Sequence, residues 1–208
     1  MLNIAKLINL DKPFILASQS PRRQKLLHQL GFEFEVIPAD IDEDDFSDGV
    51  DPVEHVKELS LKKAEYIAKK IGKPAIVLGS DTIVVLNGTI LNKPVDKKDA
   101  IRMLNTLSGK THIVYTGIAL VDAEMMKKKV AVQKTEVSFR TLSQNEIEAY
   151  AGTGSPLDKA GAYGIQDDFG AVFVSHINGC YYNIVGLPLE LLYSTMKEFL
   201  MELKGIKR

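Results

Sequence analysis

Tryptophan is absent from the 208 residues, and cysteine occurs once, at Cys180. A single thiol excludes an internal disulfide framework and fits a reducing compartment. No sign of charge dominates: 26 Lys and Arg stand against 27 Asp and Glu, a net charge of −1. The chain therefore lacks the bulk basicity that marks a nucleic acid polymer as the main partner. Long apolar runs are missing too. Nothing approaches the roughly 20 residues of a membrane span, and the opening MLNIAKLINLDKPF is broken by Lys6 and Asp11 before it reaches the apolar stretch of a signal peptide. These absences point to a cytoplasmic protein with no membrane partner. His28, His55, His112 and His176 show no metal-ligand spacing, and no nucleophilic triad is supported. What remains is ordinary for a folded domain, at 45% hydrophobic and 25% charged residues. The length suffices for one large domain or two small lobes.

Helical and strand patterns alternate along the chain. Residues 14 to 17 read as a buried strand, followed by Ser20 as helix cap, Pro21 at the first helical position and Gly31 as the stop. Glu33 to Ile37 alternates like a strand. An acidic loop follows, with Asp40, Asp42, Glu43, Asp44, Asp45 and Asp48. A helix is expected from Val53 to Ile71, ended by Gly72. Ile76 to Leu86 is the strongest strand signal, turning at Asn87-Gly88 into Thr89-Ile90-Leu91 as a type I′ hairpin. Asp96 caps a helix through Leu107. Strands are expected at His112 to Leu120 and Val130 to Arg140, around a solvated Lys127-Lys128-Lys129 turn. Ser143 and Glu146 form a capping box for a helix to Tyr150. A glycine-rich loop covers 152 to 166. Ala171 to Ile177 and Tyr181 to Val185 read as a second hairpin containing Cys180, and an amphipathic helix closes the chain with Leu192, Met196, Phe199, Leu200 and Leu203. The class is α/β with mixed sheets.

The stretch LASQSPRRQKLL, residues 16 to 27, places two cations at a helix start. The macrodipole is already positive there, so Arg22 and Arg23 are misplaced unless an anion lies between them and the backbone N–H groups. Ser18, Ser20 and the guanidiniums together suit a phosphate, whose oxygens match the arginine fork. The plain alternative is a capped helix with its arginines in solvent.

In VLGSDTIVVLNG, residues 77 to 88, Asp81 interrupts an otherwise apolar strand. A carboxylate there needs a hydrogen-bond partner, a cation or a metal. It is a metal ligand, the base that deprotonates a water, or a cap on a neighbouring loop. Gly79 beside it is expected to let a ligand approach the backbone. Lys63 shares a helix face with Leu59 and Ile67, so its ammonium must snorkel or meet an anion. Lys93 follows the hairpin directly. Gln166, in DKAGAYGIQ, offers a donor and an acceptor to a base edge.

Taken together and in order, ASQSPRRQKLL, LSLKKAEYIA, VLGSDTIVVLNGTILNKP, LSGKTHIVYTGIAL, DKAGAYGIQ and NIVGLPLELL resemble the Maf family of nucleoside triphosphate pyrophosphatases. Within it they resemble the dTTP/UTP pyrophosphatase branch, also described as septum formation inhibitors. The resemblance runs from about Phe14 to about Phe199 and implies one Maf-like domain across residues 1–208. It implies an α/β fold of two lobes around a central cleft, similar to the inosine triphosphate pyrophosphatases of the Ham1 kind. It further implies attack of water on the α-phosphorus, dependent on Mg²⁺ or Mn²⁺, in a homodimer. Carried over by position, Asp81 is the proton acceptor and, with Glu43, a metal ligand. Glu43 and Lys93 complete the catalytic set, while Ser18, Ser20, Arg23 and Lys63 bind the substrate. Arg22, Thr82 and Gln166 stand where the branches differ; the 7-methyl-GTP branch tends to have an aromatic residue, a glutamine and a glutamate there. Two rivals stand beside this expectation. One is a nucleotide-sensing regulator of division that acts through a protein partner, with the acidic loop and the Lys127 to Lys129 turn as contact surfaces. The other is the same chemistry with another base preference.

Overall fold

Phe14–Leu16 (β1) is wholly apolar and wholly buried, as expected of a strand covered on both faces. In the computed structural model, which describes residues 4–41, 50–166 and 168–206, β1 is flanked by two parallel partners, Glu35–Val36 (β2) and Ile76–Leu86 (β3). Leu16 lies opposite both Val36 and Leu78. Thr89–Leu91 (β4) pairs antiparallel with the end of β3. Hydrogen-bonded neighbours then run from β3 through Thr111–Asp122 (β5) and Lys128–Phe139 (β6) to Val174–Asn178 (β7), which is antiparallel to β6. The sheet is therefore mixed and seven-stranded, and the α/β expectation holds. The chain falls into two compact units, Met1–Asp81 with Gly117–Val132 and Gly186–Arg208, and Thr82–Thr116 with Gln133–Val185. The division passes through β3, β5 and β6.

In the first unit, Pro21–Gln29 (α2) follows β1, with the Ser20 hydroxyl accepting from the Arg23 N–H. Pro52–Ile71 (α3) starts at Asp51, whose carboxylate accepts from the N–H groups of Val53 and Glu54. It ends at left-handed Gly72. Ala64, Ile67 and Ala68 of α3 pack on Ile15, Val77, Ala119 and Val121. This contact is unusually close at two glycines. A Cβ on Gly79 would lie 2.0 Å from the Ser60 carbonyl oxygen, and one on Gly117 2.2 Å from that of Val56. Gly79 thus admits a helix to the strand backbone, not a ligand, which corrects the sequence-based expectation. The lysine turn is corrected as well. Lys128 and Lys129 belong to β6 and pair with Glu65 and with Glu198 and Glu202, because those carboxylates on α3 and the last helix flank the strand. Ile4–Leu7 (α1) precedes β1, and Leu189–Leu203 (α7) closes the unit with Leu192, Met196, Phe199 and Leu200 buried.

In the second unit, Asn87 and Gly88 both take positive φ, +50° and +81°, as a type I′ hairpin requires. Lys97–Leu107 (α4) is capped by Asp96, and Gln144–Gly152 (α5) carries the expected capping box. Residues 152 to 166 depart from an open loop. They form two short 3-10 turns, with Lys159 buried and its ammonium held by the Ser155 carbonyl and by Asp158. Tyr181–Val185 is a helix (α6), not the second strand of a hairpin. Thr135 both accepts from the Cys180 N–H and donates to its carbonyl, which turns the chain at Cys180. Asn183 then points inward, held by Val114 and Thr135. The core of this unit is aromatic: Phe139, Tyr150, Tyr163 and Phe173 meet edge to face, with His112 among them. Burial pushes the His112 imidazole down from 6.5 to about 4.

Candidate active site

The centre of β3 is where the apolar pattern breaks. Ser80, Asp81 and Thr82 follow one another in a strand whose other residues, Gly79 aside, are aliphatic. Asp81 is 6% exposed and Lys63 5%, and the Lys63 ammonium donates to Asp81 Oδ1 at 2.8 Å. Lys63 sits one turn after Ser60 and next to Ala64, the α3 residues that a Cβ on Gly79 would meet. Asp81 lies two residues beyond Gly79 on the same strand face. The helix contact that Gly79 permits is therefore what brings the two charges together. A buried pair of this kind stands only because each charge compensates the desolvation of the other. That hydrogen bond engages Oδ1, and a carboxylate has a second oxygen with which to accept a proton or ligate a cation.

One peptide away, Ser80 faces the other side of β3. Its hydroxyl donates to the Gly186 carbonyl at 3.4 Å, and Arg23 Nε donates to the same oxygen at 2.9 Å. Arg23 Nη1 donates to Ser18 Oγ at 3.0 Å, which also accepts from the Ser20 N–H. Arg23 is thus 9% exposed and tied into the protein, not extended into solvent. Ser18 and Ser20 act as acceptors in these contacts, so each hydroxyl keeps its proton for an anion. The group at the start of α2 consequently presents hydroxyl donors backed by a fixed guanidinium, an arrangement suited to phosphate oxygens. Arg22 is half-buried beside it.

The second unit carries the remaining positions. Thr82 is half-buried and its hydroxyl lies 2.9 Å from that of Thr116. Lys93 is exposed just beyond β4, and Gln166 is half-buried after the second 3-10 turn. Glu43 lies outside the described residues. Ser80, Gly186 and Thr116 were not anticipated. A backbone carbonyl carries no side-chain signal, and serine and threonine in strands usually have none; the run of three polar residues in β3 was the one available hint.

A divalent cation fits this donor set. Among the described residues no three His, Cys, Asp or Glu side chains cluster. A cation that takes one or two carboxylates and completes its shell with phosphate oxygens and water needs only Asp81 Oδ2 and one further acid.

The sequence pattern of the Maf family (Maf-like protein) matches residues 13–199. A dTTP/UTP pyrophosphatase of Thermotoga maritima is 50% identical over 185 residues, 88% of this chain and 88% of its own. That of Pelotomaculum thermopropionicum is 46% identical over 188 residues, 90% of this chain and 97% of its own. A solved HAM1 protein from Coxiella burnetii aligns over 93% of this chain and 98% of its own, with 18% identity and a TM-score of 0.47; a likeness at that level bears no weight.

Proposed function

The chain belongs to the Maf family, and from that membership we propose that it hydrolyses dTTP, UTP and modified pyrimidine triphosphates to the nucleoside monophosphate and pyrophosphate. It is a nucleoside triphosphate pyrophosphatase, a hydrolase of nucleotide metabolism. The observation that carries this is the agreement in activity among relatives that span nearly the whole chain. The work of the residues follows from their chemistry. Ser18, Ser20 and the Arg23 guanidinium bind and orient the phosphates, and Arg22 adds charge at the same helix start. Lys63 holds Asp81 in place through Oδ1, while Oδ2 takes the proton of the attacking water. The new bond forms between the water oxygen and the α-phosphorus, and the bond from that phosphorus to the oxygen bridging it to the β-phosphate breaks. Lys93 meets the charge that gathers on the departing pyrophosphate. Positioning and electrostatics do the work, with no covalent intermediate. Asp81 and Glu43 would hold Mg²⁺ or Mn²⁺, which neutralises phosphate charge when bound. Thr82, Gln166 and Arg22 discriminate the base. No helix of the described residues is long and apolar enough to cross a membrane, and a cytoplasmic homodimer with a pool-cleaning role completes the proposal.

Initial rates with Mg²⁺ or Mn²⁺ and direct detection of products test it. Pyrophosphate is expected from UTP; orthophosphate as the first product refutes it. Asp81→Asn is expected to lose about 10²- to 10⁴-fold in turnover, as removal of a general base does, while nucleotide still binds.

A further inference from the structure

Gly161 and Ala162 take positive φ in succession, +68° and +63°. Glycine does so freely, whereas alanine is strained there, and such strain persists only where the surroundings enforce it. Here they do. Ala162 is fully buried and its N–H donates to the Lys159 carbonyl at 3.1 Å. Before the turn, Ser155 and Asp158 hold the Lys159 ammonium; after it, the Tyr163 hydroxyl lies 2.8 Å from His112 Nε2. Gly161 itself rests on β3, where a Cβ would lie 2.9 Å from Val84 Cγ2. That close approach delivers the Gly161 N–H to the Asn92 carbonyl, 3.1 Å away. The Asn92 carbonyl and the Lys93 N–H share one rigid peptide plane, so a bond to the first fixes the direction in which the chain enters Lys93. The flanks are fixed as well. Leu91 is buried and paired with Val84, Pro94 is buried, and the Val95 N–H donates to Asp99 Oδ2 at 3.2 Å. Lys93 is thus an exposed side chain on a pinned backbone. All of these groups belong to the second unit.

We propose that Gly161 is a positioning residue: its N–H, pressed toward Asn92 by the strained turn, aims Lys93 at the charge that gathers on the departing pyrophosphate. This rests on the reading of Lys93 as the cation for that charge. A lysine on a loose loop must be ordered in every turnover, whereas one on a fixed backbone already stands where charge develops. Glycine is required at 161 for two reasons at once, the left-handed backbone and the close approach to Val84. An alanine there must retreat about 0.5 Å to reach ordinary contact at 3.4 Å, and the bond to Asn92 lengthens with it. Misplacement by 1 Å costs about 10²-fold in rate, so about tenfold is expected for half that distance.

The test is kcat and KM for UTP in the wild type, Gly161→Ala, Lys93→Ala and the protein carrying both changes. Gly161→Ala is expected to lower kcat about tenfold with KM within about twofold, because the charge that Lys93 meets develops only in the transition state. In the Lys93→Ala background the same change is expected to cost less than about twofold, since both substitutions remove one interaction. A purely structural role would lower kcat by the same factor with or without Lys93, and that result overturns the inference. So does a Lys93→Ala protein with unchanged kcat, which leaves pyrophosphate release from UTP standing as the activity. Where Gly161→Ala does not fold, Gly161→Asn carries the same Cβ through the same cycle on a residue that tolerates a left-handed backbone. In the wild type the amide order parameter of Lys93 is expected at or above about 0.7, nearer rigid backbone than a flexible loop; a lower value overturns the inference without any variant. If wild type releases no pyrophosphate from any triphosphate, the proposed activity fails separately. Dissociation constants for inorganic pyrophosphate in the same four proteins then decide: weakening by Gly161→Ala that vanishes without Lys93 sustains the inference, and equal or absent weakening overturns it.

Discussion

Gly79→Ala isolates the contact that pairs Lys63 with Asp81. The added methyl would lie 2.0 Å from the Ser60 carbonyl oxygen and 2.8 Å from the Ala64 nitrogen, both backbone atoms of α3. Neither can rotate away. Gly79 is not among the positive-φ residues, so the penalty is steric. To reach ordinary contact at 3.4 Å, α3 must retreat by about 1.4 Å, and the 2.8 Å bond from Lys63 to Asp81 then opens to about 4 Å, beyond hydrogen-bond range. Overpacking of this kind costs about 1–3 kcal/mol, and breaking a buried pair adds about 3–5 kcal/mol when one charge is fully stranded. Only part of the second cost applies here, since both charges remain, and alanine recovers about 0.5–1 kcal/mol of chain entropy over glycine. The net expectation is about 3 kcal/mol. In a chain of this size that lowers the melting temperature by about 6–12 °C. Thermal unfolding followed by far-UV circular dichroism reads the stability, and pyrophosphate release from UTP, measured well below the new midpoint, reads the turnover. Gly152→Ala serves as control, because its Cβ would meet only the Lys97 ammonium at 3.6 Å. A Gly79→Ala protein that melts within 2 °C of wild type and turns over UTP at an unchanged rate would refute the argument.

Three further outcomes are expected. Arg23→Lys cannot reproduce both the bond to the Gly186 carbonyl and that to Ser18; a stability loss of about 1–3 kcal/mol and a raised KM for UTP should follow in unfolding and rate measurements. His112 is held neutral by burial, its pKa lowered from 6.5 to about 4. The unfolded chain therefore binds the extra proton between those values, and stability should fall by about 3 kcal/mol as pH drops from 6.5 to 4; His112→Phe should flatten that limb. Glu146 is held at about 2 by the Arg140 guanidinium and by the Ser143 backbone and hydroxyl. A lowered carboxylate contributes stability above its usual 4.5, lost as pH falls toward 2; urea titrations across that window should show a shallower acid limb in Arg140→Met.

Much of the fold was legible because its signals are local. Ser20-Pro21, Asp96 and the Ser143–Glu146 box each satisfy orphan N–H groups within three residues, so a linear reading finds them. Asn87-Gly88 is similar, since positive φ at both positions selects those two residue types. Tyr181–Val185 failed for the opposite reason. Its five residues carry strand propensity, and what coils them is the bonding of Cys180 and Asn183 to Thr135, about 45 positions earlier. In the site, Lys63 and Asp81 each advertised a charge out of place on an apolar face, and each resolved the other's anomaly. Arg23 was legible as a cation near a phosphate-like environment but not as a residue tied to Gly186, because a carbonyl 163 positions away leaves no mark in side-chain pattern.

The three polar residues of β3 are each held by a different distant segment: Ser80 by Gly186, Asp81 by Lys63 and Thr82 by Thr116. Such a strand is costly to bury, because each polar group must find compensation inside the folded chain. The cost is tolerable where the surrounding packing is fixed. It is fixed here by α3 resting directly on the backbone at Gly79 and Gly117, with small side chains such as Ala64 and Ala68 filling the interface. A general base must hold its carboxylate within a fraction of an ångström of the productive position, and a strand clamped by a helix does that better than a loop. Activity and stability are then coupled at this contact, so substitutions that loosen α3 against β3 should lower kcat before they unfold the chain, whereas equally destabilising changes in the aromatic cluster around Phe139 and Phe173 should lower the melting temperature first.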